Sequence, residues 1–365
     1  MKSYKICLLG NCLSSGGAEK MHAVLSQYFA SKNIEVHNVI LIDRVYYSYS
    51  GTLLNLGAIK NERNDIFNQL KRLNVLRRFF KDNTFDYIID FRYREHQLQE
   101  FLFSKVIFNA PYVPIIHSYM TYLYFPSNKF LAEKIYSNSY GIVAVCDAVA
   151  EKIKVEYNYE NVHKVYNPIE FDKIITLSQE KLEISYQYVL GVGRMALDNI
   201  KQFDKMIEAY EQSVLPVNDV KLVLIGDGPQ RTQLEELVRK KNLTDKIYFL
   251  GFQENPFVYM RKALFMLLTS RNEGFPNVIN ESLACGAPVV SFDCLSGPSE
   301  MIIDQENGLL VENQNVAQFI LAMNRLYEDK ALYENCKKHA VSSAERFSLE
   351  NIGHKWLDFL KIKVS

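Results

Sequence analysis

The stretch TSRNEGFPNVINESLACGAPVVSFDCLSGPS, from Thr269 to Ser299, predicts a loop, a helix and a strand in that order. The apolar run just before it, Ala263 to Leu268, is typical of a buried parallel strand. Pro276 suits the first position of the helix, and Gly286 suits the residue just beyond the helix end. The apolar VVSF after Pro288 predicts the next strand, so the whole segment is one β-loop-α-β unit.

Two carboxylates lie on either side of the predicted helix start. Glu273 precedes the helix in the loop, and Glu281 lies inside it. A helix N-terminus presents free N–H groups and a partial positive charge, so it favours a phosphate. Carboxylates on either side can accept hydrogen bonds from hydroxyl groups. The pattern therefore indicates a site for a sugar nucleotide.

Length and composition describe an ordinary globular protein. The chain has 365 residues, of which 48% are hydrophobic and 23% charged, and its formal net charge is zero. This length predicts two domains. No run of about 18 uncharged apolar residues occurs, and the apolar core of Lys2 to Gly10 is too short for a signal peptide, so we expect a cytoplasmic protein. The six cysteines include no Cys-x-x-Cys pair, which predicts buried thiols.

The first part of the chain opens like a doubly wound α/β domain. A strand from Tyr4 to Leu9 leads into a turn that contains Gly16 and Gly17, and apolar residues at helical spacing predict a helix from Met21 to Ser31. Adjacent glycines let the backbone approach an anion closely, although they are equally compatible with a simple turn. A further strand, Tyr112 to His117, places His117 at the edge of the sheet where ligands bind.

A domain boundary is predicted near residue 168. The segment Val165 to Ile169 has the composition of a last strand that Asn167-Pro168 interrupts, and a polar run to Glu183 follows. We therefore predict domains at 1–168 and 169–345, followed by a terminal helical segment at 346–365.

The second domain begins with a glycine pattern that has two interpretations. Gly191-x-Gly193-x-x-Ala196 after a strand is close to the dinucleotide-binding fingerprint of NAD(P) oxidoreductases. However, Asp198-Asn199 separates the pattern from the following helix, and no acidic residue ends the next strand, Val220 to Ile225. The oxidoreductase interpretation is therefore disfavoured.

Several motifs together resemble the GT4 family of retaining glycosyltransferases. The segment from Glu273 to Glu281 is similar to the E-x7-E motif of that family, Gly16-Gly17-Ala18-Glu19 to its GGAE signature, and Gly226-Asp227-Gly228-Pro229 to its GxGP turn. The resemblance implies an α/β protein of GT-B fold, with two Rossmann-like doubly wound parallel-sheet domains facing a central cleft. It also implies that the first domain binds the acceptor, that the second binds the nucleotide sugar, and that the last helix crosses back to the first domain.

The resemblance also implies roles for individual residues. Arg194 and Lys201 correspond to the cations that grip the donor diphosphate, Glu273 positions the sugar, and His117 lies beside the transferred sugar. These four residues are the predicted catalytic set. The predicted donor-binding set is Gly16, Gly17, Gly193, Arg194, Lys201, Phe252, Phe275, Pro276, Asn277, Val278 and Glu281. Two more residues separate Arg194 from Lys201 than is common in the family, so we expect Asp198 or Asn199 to bulge outward.

The implied reaction moves a hexose or N-acetylhexosamine from a UDP-sugar to a glycolipid or growing polysaccharide, with retention at the anomeric carbon. Such enzymes build bacterial surface polysaccharides and lipo-oligosaccharides. No Asp-x-Asp motif for a divalent metal occurs, so we expect neither a metal nor another cofactor, and no nucleic-acid partner. The basic amphipathic helix predicted at Ile66 to Lys81 suggests peripheral contact with the inner face of the cytoplasmic membrane, although it can also simply pack on its sheet.

Two other functions remain open at this point. One is a nucleotide-sugar epimerase of the same fold, which would convert the donor without an acceptor. The other is a non-catalytic carbohydrate-binding protein, which the presence of Arg194, Lys201, Glu273 and Glu281 disfavours.

Overall fold

The structure, a computed structural model, describes residues 3–14, 16–61 and 65–363. The chain divides into two compact units. The first contains Met1–Pro168 and Leu349–Ser365, and the second contains Ile169–Ser348. Each unit is built around its own parallel β-sheet.

Helices and strands alternate along nearly the whole chain. The strands are β1 (Lys5–Gly10), β2 (Glu35–Ile40), β3 (Thr52–Asn55), β4 (Tyr87–Asp90), β5 (Tyr112–Ile116), β6 (Ile142–Ala144), β7 (Val162–Lys164), β8 (Tyr188–Val192), β9 (Lys221–Ile225), β10 (Ile247–Gly251), β11 (Met266–Leu268), β12 (Val289–Asp293) and β13 (Gly308–Glu312). The α-helices are α1 (Gly17–Ser31), α2 (Ile66–Asp82), α3 (Gln97–Leu102), α4 (Lys129–Tyr136), α5 (Asp147–Tyr157), α6 (Phe171–Ser178), α7 (Phe203–Gln212), α8 (Arg231–Lys240), α9 (Phe257–Lys262), α10 (Asn277–Ala284), α11 (Pro298–Met301), α12 (Val316–Glu328), α13 (Lys330–Glu345) and α14 (Leu349–Phe359). A π-helical turn (Phe103–Ile107) follows α3, and a 3₁₀ turn (Thr121–Leu123) follows β5.

The first unit has a sheet with the strand order β3-β2-β1-β4-β5-β6-β7. All pairs are parallel, and β1, β4 and β5 are almost entirely buried, so their sequences are nearly continuous apolar runs. The terminal helix α14 packs on this unit: a Cβ added to Gly353 would lie 2.1 Å from Cζ of Tyr28 in α1. The hydroxyl of Tyr87 donates to the carbonyl of Leu360 at 2.5 Å.

The second unit has the parallel strand order β10-β9-β8-β11-β12-β13. This is the order of a doubly wound fold, in which the chain direction switches between the first and fourth strands of the unit, here β8 and β11. Two glycines allow β8 and β9 to approach closely where they end. A Cβ on Gly226 would lie 1.9 Å from the carbonyl oxygen of Gly193, and one on Gly228 would lie 2.3 Å from that of Met195. The predicted α/β class with two Rossmann-like units is thus confirmed.

Three predicted element boundaries are wrong by a few residues. Helix α1 begins at Gly17, four residues before the predicted Met21. The prediction started at the first apolar residue of the pattern, but a glycine can adopt helical angles without contributing to that pattern. The last strand of the first unit is Val162–Lys164 and ends before the predicted segment 165–169. Pro276 is the N-cap of α10 and not its first helical residue.

Within the described residues, no helix is both long and apolar enough to cross a membrane. All six cysteines are free thiols in the interior, as their spacing predicted.

Candidate active site

The cations predicted to bind the donor diphosphate follow strand β8. Gly193 and Arg194 come directly after it, at the carboxyl edge of the sheet and beside the point where the strand order switches. The side chain of Lys201 runs back over Gly193, where an added Cβ would lie 3.3 Å from Cγ of Lys201. A larger residue at 193 would therefore press on the lysine stem and shift it by a few tenths of an ångström.

Lys201 forms an ion pair with Glu273. Its Nζ lies 2.6 Å from Oε1 of Glu273, and the two side chains are 23% and 13% exposed. Because the pair is mostly shielded from water, its attraction is stronger than that of a surface pair. The structure thus brings together two residues that are 72 positions apart in the sequence and that were predicted separately.

The segment between Arg194 and Lys201 contains the two residues that were expected to bulge outward. Asp198 is exposed, and Asn199 has a φ of 50°, in the left-handed region. The side-chain amide of Asn199 donates to Oδ1 of Asp204 at 3.1 Å. Arg194 is exposed and makes no hydrogen bond or ion pair with the described residues, so its guanidinium group is open to an anion.

The segment that follows β12 holds the loop that carries Glu273. The hydroxyl of Ser296 donates to the backbone carbonyl of Glu273. Next to it, Gly297 has a φ of 99°, and a Cβ there would lie 2.5 Å from Cδ of Pro276. Sequence reasoning did not assign Ser296 or Gly297 a role at the site, although both lie in the stretch that predicts the fold.

The start of α10 places the remaining predicted donor-binding residues of this segment. Asn277 is its first residue, and the buried Oδ1 of Asn277 has no hydrogen-bond partner in the described part of the chain. Glu281 is buried one turn later. The side chain of Phe275 is also buried and packs edge to face on Phe347, with ring centroids 5.6 Å apart. Phe275 can therefore contact a ligand mainly through its backbone.

Two further predicted residues lie at strand and helix ends. Phe252, just after β10, is 66% exposed and offers a free aromatic face. Val278, the second residue of α10, is partly exposed.

In the first unit, the two predicted glycines lie at the start of α1. Gly17 is exposed, and an added Cβ would contact nothing within 4 Å. At Gly16 a Cβ would lie 2.0 Å from Oε2 of Glu19, so the carboxylate of Glu19 fills this side of the turn. Burial raises the pKa of Glu19 above its ordinary value.

His117 follows β5 and is stacked in a row of rings. Its ring is 5.8 Å from that of Phe91, which in turn lies 5.0 Å from the ring of His22. Both ring nitrogens of His117 are buried and have no hydrogen-bond partner among the described residues. Burial, helped by the positive charge of Arg94, lowers the pKa of His117 to about 3. His117 is therefore neutral near pH 7 and can donate one hydrogen bond and accept another.

A buried ionic network behind His117 was missed by sequence reasoning. Asp90, at the end of β4, accepts three hydrogen bonds from Arg92, at 2.8 to 3.0 Å, and one from the hydroxyl of Tyr112 at 2.7 Å. Arg92 also makes a bidentate pair with Glu100, at 2.8 and 3.0 Å. Although burial opposes it, the charges of Arg92 and Arg94 keep the pKa of Asp90 below its ordinary value.

Arg94 connects this network to the strand that carries His117. Its guanidinium group donates to the carbonyl of Ile115 at 3.0 Å and to the hydroxyl of Tyr136 at 3.0 Å. It also lies 5.1 Å from the centre of the Tyr124 ring, whose hydroxyl accepts the backbone N–H of His117 at 3.2 Å. The available sequence signal was an aspartate at the end of a buried strand, followed by two arginines at alternate positions.

The comparisons with known proteins agree with this geometry. Residues 175–342 match the family model described as glycosyl transferases group 1. The N-acetylgalactosamine-N,N'-diacetylbacillosaminyl-diphospho-undecaprenol 4-alpha-N-acetylgalactosaminyltransferase of Campylobacter jejuni is 29% identical over 359 residues, which cover 95% of this chain and 97% of that protein. The lipopolysaccharide 1,6-galactosyltransferase of Escherichia coli is 30% identical over 169 residues, or 45% of each chain.

Solved structures share the fold over almost the full length. Staphylococcus aureus TarM, solved as a mutant in complex with UDP and other ligands, superposes with a TM-score of 0.77 at 16% identity, covering 99% of this chain and 100% of that one. Anabaena HepE in complex with UDP-glucose gives a TM-score of 0.76 at 20% identity, covering 98% and 99%. Residues 175–342, which are nearly all of the second unit, are therefore similar to a group 1 glycosyltransferase domain, and the chain has the GT-B fold.

Proposed function

We propose that the protein transfers a hexose or N-acetylhexosamine from a UDP-sugar to a lipid-linked or polysaccharide acceptor, with retention of the anomeric configuration and without a metal ion. The observation that carries the proposal is the Lys201–Glu273 pair: the lysine stem lies against Gly193, and the next residue is Arg194, whose side chain is exposed at the end of β8. The activities for which the relatives are named support the substrate classes: the Campylobacter protein acts on an undecaprenol-linked glycan, and the Anabaena structure contains UDP-glucose.

The residues of the second unit suit a diphosphate leaving group. UDP gains negative charge as the glycosidic bond to it breaks. Fixed cations therefore stabilise the transition state more than the ground state. The guanidinium group of Arg194 supplies several hydrogen-bond donors in one plane. Lys201 supplies a compact positive charge, and Glu273 fixes the orientation of the lysine side chain. The free N–H groups at the start of α10 add partial positive charge.

The remaining residues of the site have binding and positioning roles in this proposal. Glu281 binds the ribose hydroxyls, Phe252 lies near the base, and Glu273 positions the sugar. In the first unit, which binds the acceptor, neutral His117 hydrogen-bonds a sugar hydroxyl with the nitrogens that the described residues leave unpaired. A phosphate oxygen of the donor takes the proton of the acceptor hydroxyl as the new glycosidic bond forms, so no protein nucleophile is needed.

Helix α2 supports action at a membrane surface, where a lipid-linked acceptor would be found. Its outward face begins with three exposed apolar side chains: Ile66 at 72%, Phe67 at 84% and Leu70 at 56%. Four exposed cations continue the same face: Lys71, Arg77, Arg78 and Lys81. Apolar groups that enter the lipid and cations that face anionic headgroups are the features of an interfacial helix. We place the enzyme at the inner face of the cytoplasmic membrane.

The proposal is tested by incubating the protein with a panel of UDP-hexoses and UDP-N-acetylhexosamines, with and without undecaprenyl-diphosphate-linked glycans, in buffer containing EDTA. We expect UDP release that depends on the acceptor and is unaffected by the chelator. Arg194→Ala should lower kcat by about 100-fold, as the loss of a transition-state hydrogen-bond donor does elsewhere. Arg239→Ala, an exposed cation on α8, is the matched control and should leave kcat unchanged.

Two results would count against the proposal. Conversion of the donor to an epimer without acceptor would indicate an epimerase. Loss of transfer on chelation, restored by a divalent ion, would show that the cations of the second unit do not suffice for the leaving group.

A further inference from the structure

Two glutamines form a closed pair directly beside Lys201. Nε2 of Gln202 donates to Oε1 of Gln314 at 3.0 Å, and Nε2 of Gln314 donates to Oε1 of Gln202 at 2.8 Å. Nζ of Lys205 also donates to Oε1 of Gln314, at 2.7 Å. Gln202 is only 3% exposed, so this amide pair is largely shielded from water.

Both glutamines have a backbone conformation that side chains normally avoid. The φ angle is 48° at Gln202 and 65° at Gln314, in the left-handed region that favours glycine. Such residues persist where the surrounding contacts hold them, and they are frequent at functional sites. Two left-handed residues joined by reciprocal hydrogen bonds therefore indicate a local geometry that is maintained against its own strain.

The contacts around Gln202 also fix the backbone of Lys201. The hydroxyl of Thr269, which follows β11, lies 3.0 Å from the carbonyl oxygens of both Lys201 and Gln202. Thr269 thus ties the peptide groups on the carboxyl side of Lys201 to the end of β11. Gln314 ties the side chain of Gln202 to the segment that follows β13. Beyond this anchored backbone, the lysine side chain reaches Glu273.

We propose that Gln202 and Gln314 are positioning residues that aim the ammonium group of Lys201 at the donor diphosphate. The proposal rests on the role given to Lys201 in the proposed function. A lysine side chain has many rotamers, and a charge stabilises a transition state only if it is held at the place where opposite charge develops. On the amino side of Lys201, the carbonyl of Ile200 accepts the backbone N–H of Arg271 at 2.8 Å. The glutamine pair holds the chain on the carboxyl side, so the lysine stem starts from a backbone that is fixed on both sides.

The first measurements compare Gln202→Ala, Gln314→Ala and Gln202→Gly. We expect kcat for UDP release to fall about tenfold in each, with a smaller change in KM, since an aimed cation acts mainly in the transition state. Gln202→Gly removes the amide pair but accepts the left-handed angle, so its melting temperature should be at least that of Gln202→Ala while its kcat stays low. Full activity of Gln202→Gly would overturn the proposal.

The decisive measurement repeats Gln202→Ala and Gln314→Ala in a Lys201→Ala background. If the glutamines act through Lys201, neither should lower kcat by more than about twofold there, because their target is gone. A purely structural role would instead give the same tenfold loss in both backgrounds and would overturn the proposal. The matched control is Gln305→Ala. Gln305 also has a left-handed φ, 63°, and accepts a hydrogen bond from Arg325. However, it precedes β13 and so lies at the amino ends of the strands, whereas the site lies at their carboxyl ends.

The result for Lys201→Ala alone separates this proposal from the one on which it rests. A large loss of kcat in Lys201→Ala combined with unchanged kcat in both glutamine variants overturns only the positioning role. Unchanged kcat in Lys201→Ala overturns the role of the lysine and the positioning role together, whereas acceptor-dependent transfer by the wild type would still support the glycosyltransferase reaction.

Discussion

Nζ of Lys201 lies 2.6 Å from Oε1 of Glu273, so the lysine predicted to bind the diphosphate is neutralised by the carboxylate predicted to position the sugar. Arg194, which follows β8 directly after Gly193, has no such counter-charge among the described residues. The local charge at the end of β8 is therefore set by the arginine, and Glu273 moderates how strongly the lysine attracts an anion.

Glu273→Gln should separate binding from catalysis. The substitution keeps the size of the side chain but removes one negative charge, so the affinity for UDP should rise several-fold as the local potential becomes more positive. The kcat should nevertheless fall by about 100-fold, because the amide aims Lys201 poorly and cannot hold the sugar hydroxyl as a carboxylate does. Calorimetric titration with UDP and steady-state kinetics measure the two effects.

The control for this experiment is Lys201→Met, which should weaken UDP binding. Weaker UDP binding in Glu273→Gln would show that Glu273 matters chiefly as a support for Lys201 and not through its charge.

The pH dependence of stability should report the burial of His117. Its pKa is about 3 in the folded protein, below the ordinary value of 6.5, so between these values the unfolded chain binds more protons than the folded one. The stabilisation is complete above pH 6.5 and is lost as the pH falls through this window. From about pH 7.5 to about pH 5, the wild type should lose about 2 kcal/mol more than His117→Gln.

Urea unfolding at the two pH values tests this expectation, with His96→Gln as the control because His96 is exposed. His22 is also buried with a lowered pKa, but it is present in all the proteins compared, so its contribution cancels. Equal pH dependence in the wild type and His117→Gln would mean that His117 takes up a proton as readily in the folded protein as in the unfolded chain.

The second unit was easier to predict from sequence than the first. Its strands are buried on both faces and therefore appear as short apolar runs, and its turns are marked by residues such as Gly226, Gly228 and Gly286, all with positive φ. In the first unit, α1 begins at a glycine that the apolar pattern does not include. The side chains of strand β7 are exposed or partly exposed, so the hydrophobicity of this segment does not distinguish it from a loop.

The contacts of the site were harder to predict than its residues. Motif resemblance identified Lys201 and Glu273 separately, but their pairing depends on how β8 and β11 lie side by side. The charges of Asp90, Arg92 and Glu100 look like those of a solvated loop, since charged residues are rarely buried. Only the structure shows that they satisfy one another and can therefore lie in the interior.

Removing the central arginine of this network should strongly destabilise the protein. Arg92→Leu leaves Glu100 buried without its bidentate partner and weakens the support of Asp90, and we expect a loss of about 3–5 kcal/mol. Arg92→Leu/Glu100→Leu removes the stranded carboxylate and should recover part of the loss, because Asp90 keeps its hydrogen bond from Tyr112. Chemical denaturation measures both variants.

An exposed ion pair provides the comparison. Glu151→Gln breaks the contact of Glu151 with Lys154 on the surface of α5, and the unfolding midpoint should not change. If the double variant were less stable than Arg92→Leu alone, the buried charge of Glu100 would not be the source of the destabilisation.

The outward face of α2 should carry the affinity for membranes. Phe67→Ser/Leu70→Ser removes the two apolar side chains that would enter the lipid, and co-sedimentation with vesicles of phosphatidylcholine and phosphatidylglycerol should fall about tenfold. Arg77→Gln/Arg78→Gln removes two cations worth about 1 kcal/mol each near an anionic surface, so binding should fall about 30-fold on these vesicles. On phosphatidylcholine alone, the arginine variant should bind like the wild type.

The control for exposed apolar surface in general is Val217→Ser, since Val217 is 89% exposed but lies in a turn of the second unit and not on a helix. It should bind vesicles as the wild type does. Binding that survives both α2 variants would place the membrane contact elsewhere on the chain. Because neither variant alters a residue of the active site, transfer to a water-soluble acceptor should be unchanged, whereas transfer to a lipid-linked acceptor in vesicles should fall in parallel with vesicle binding.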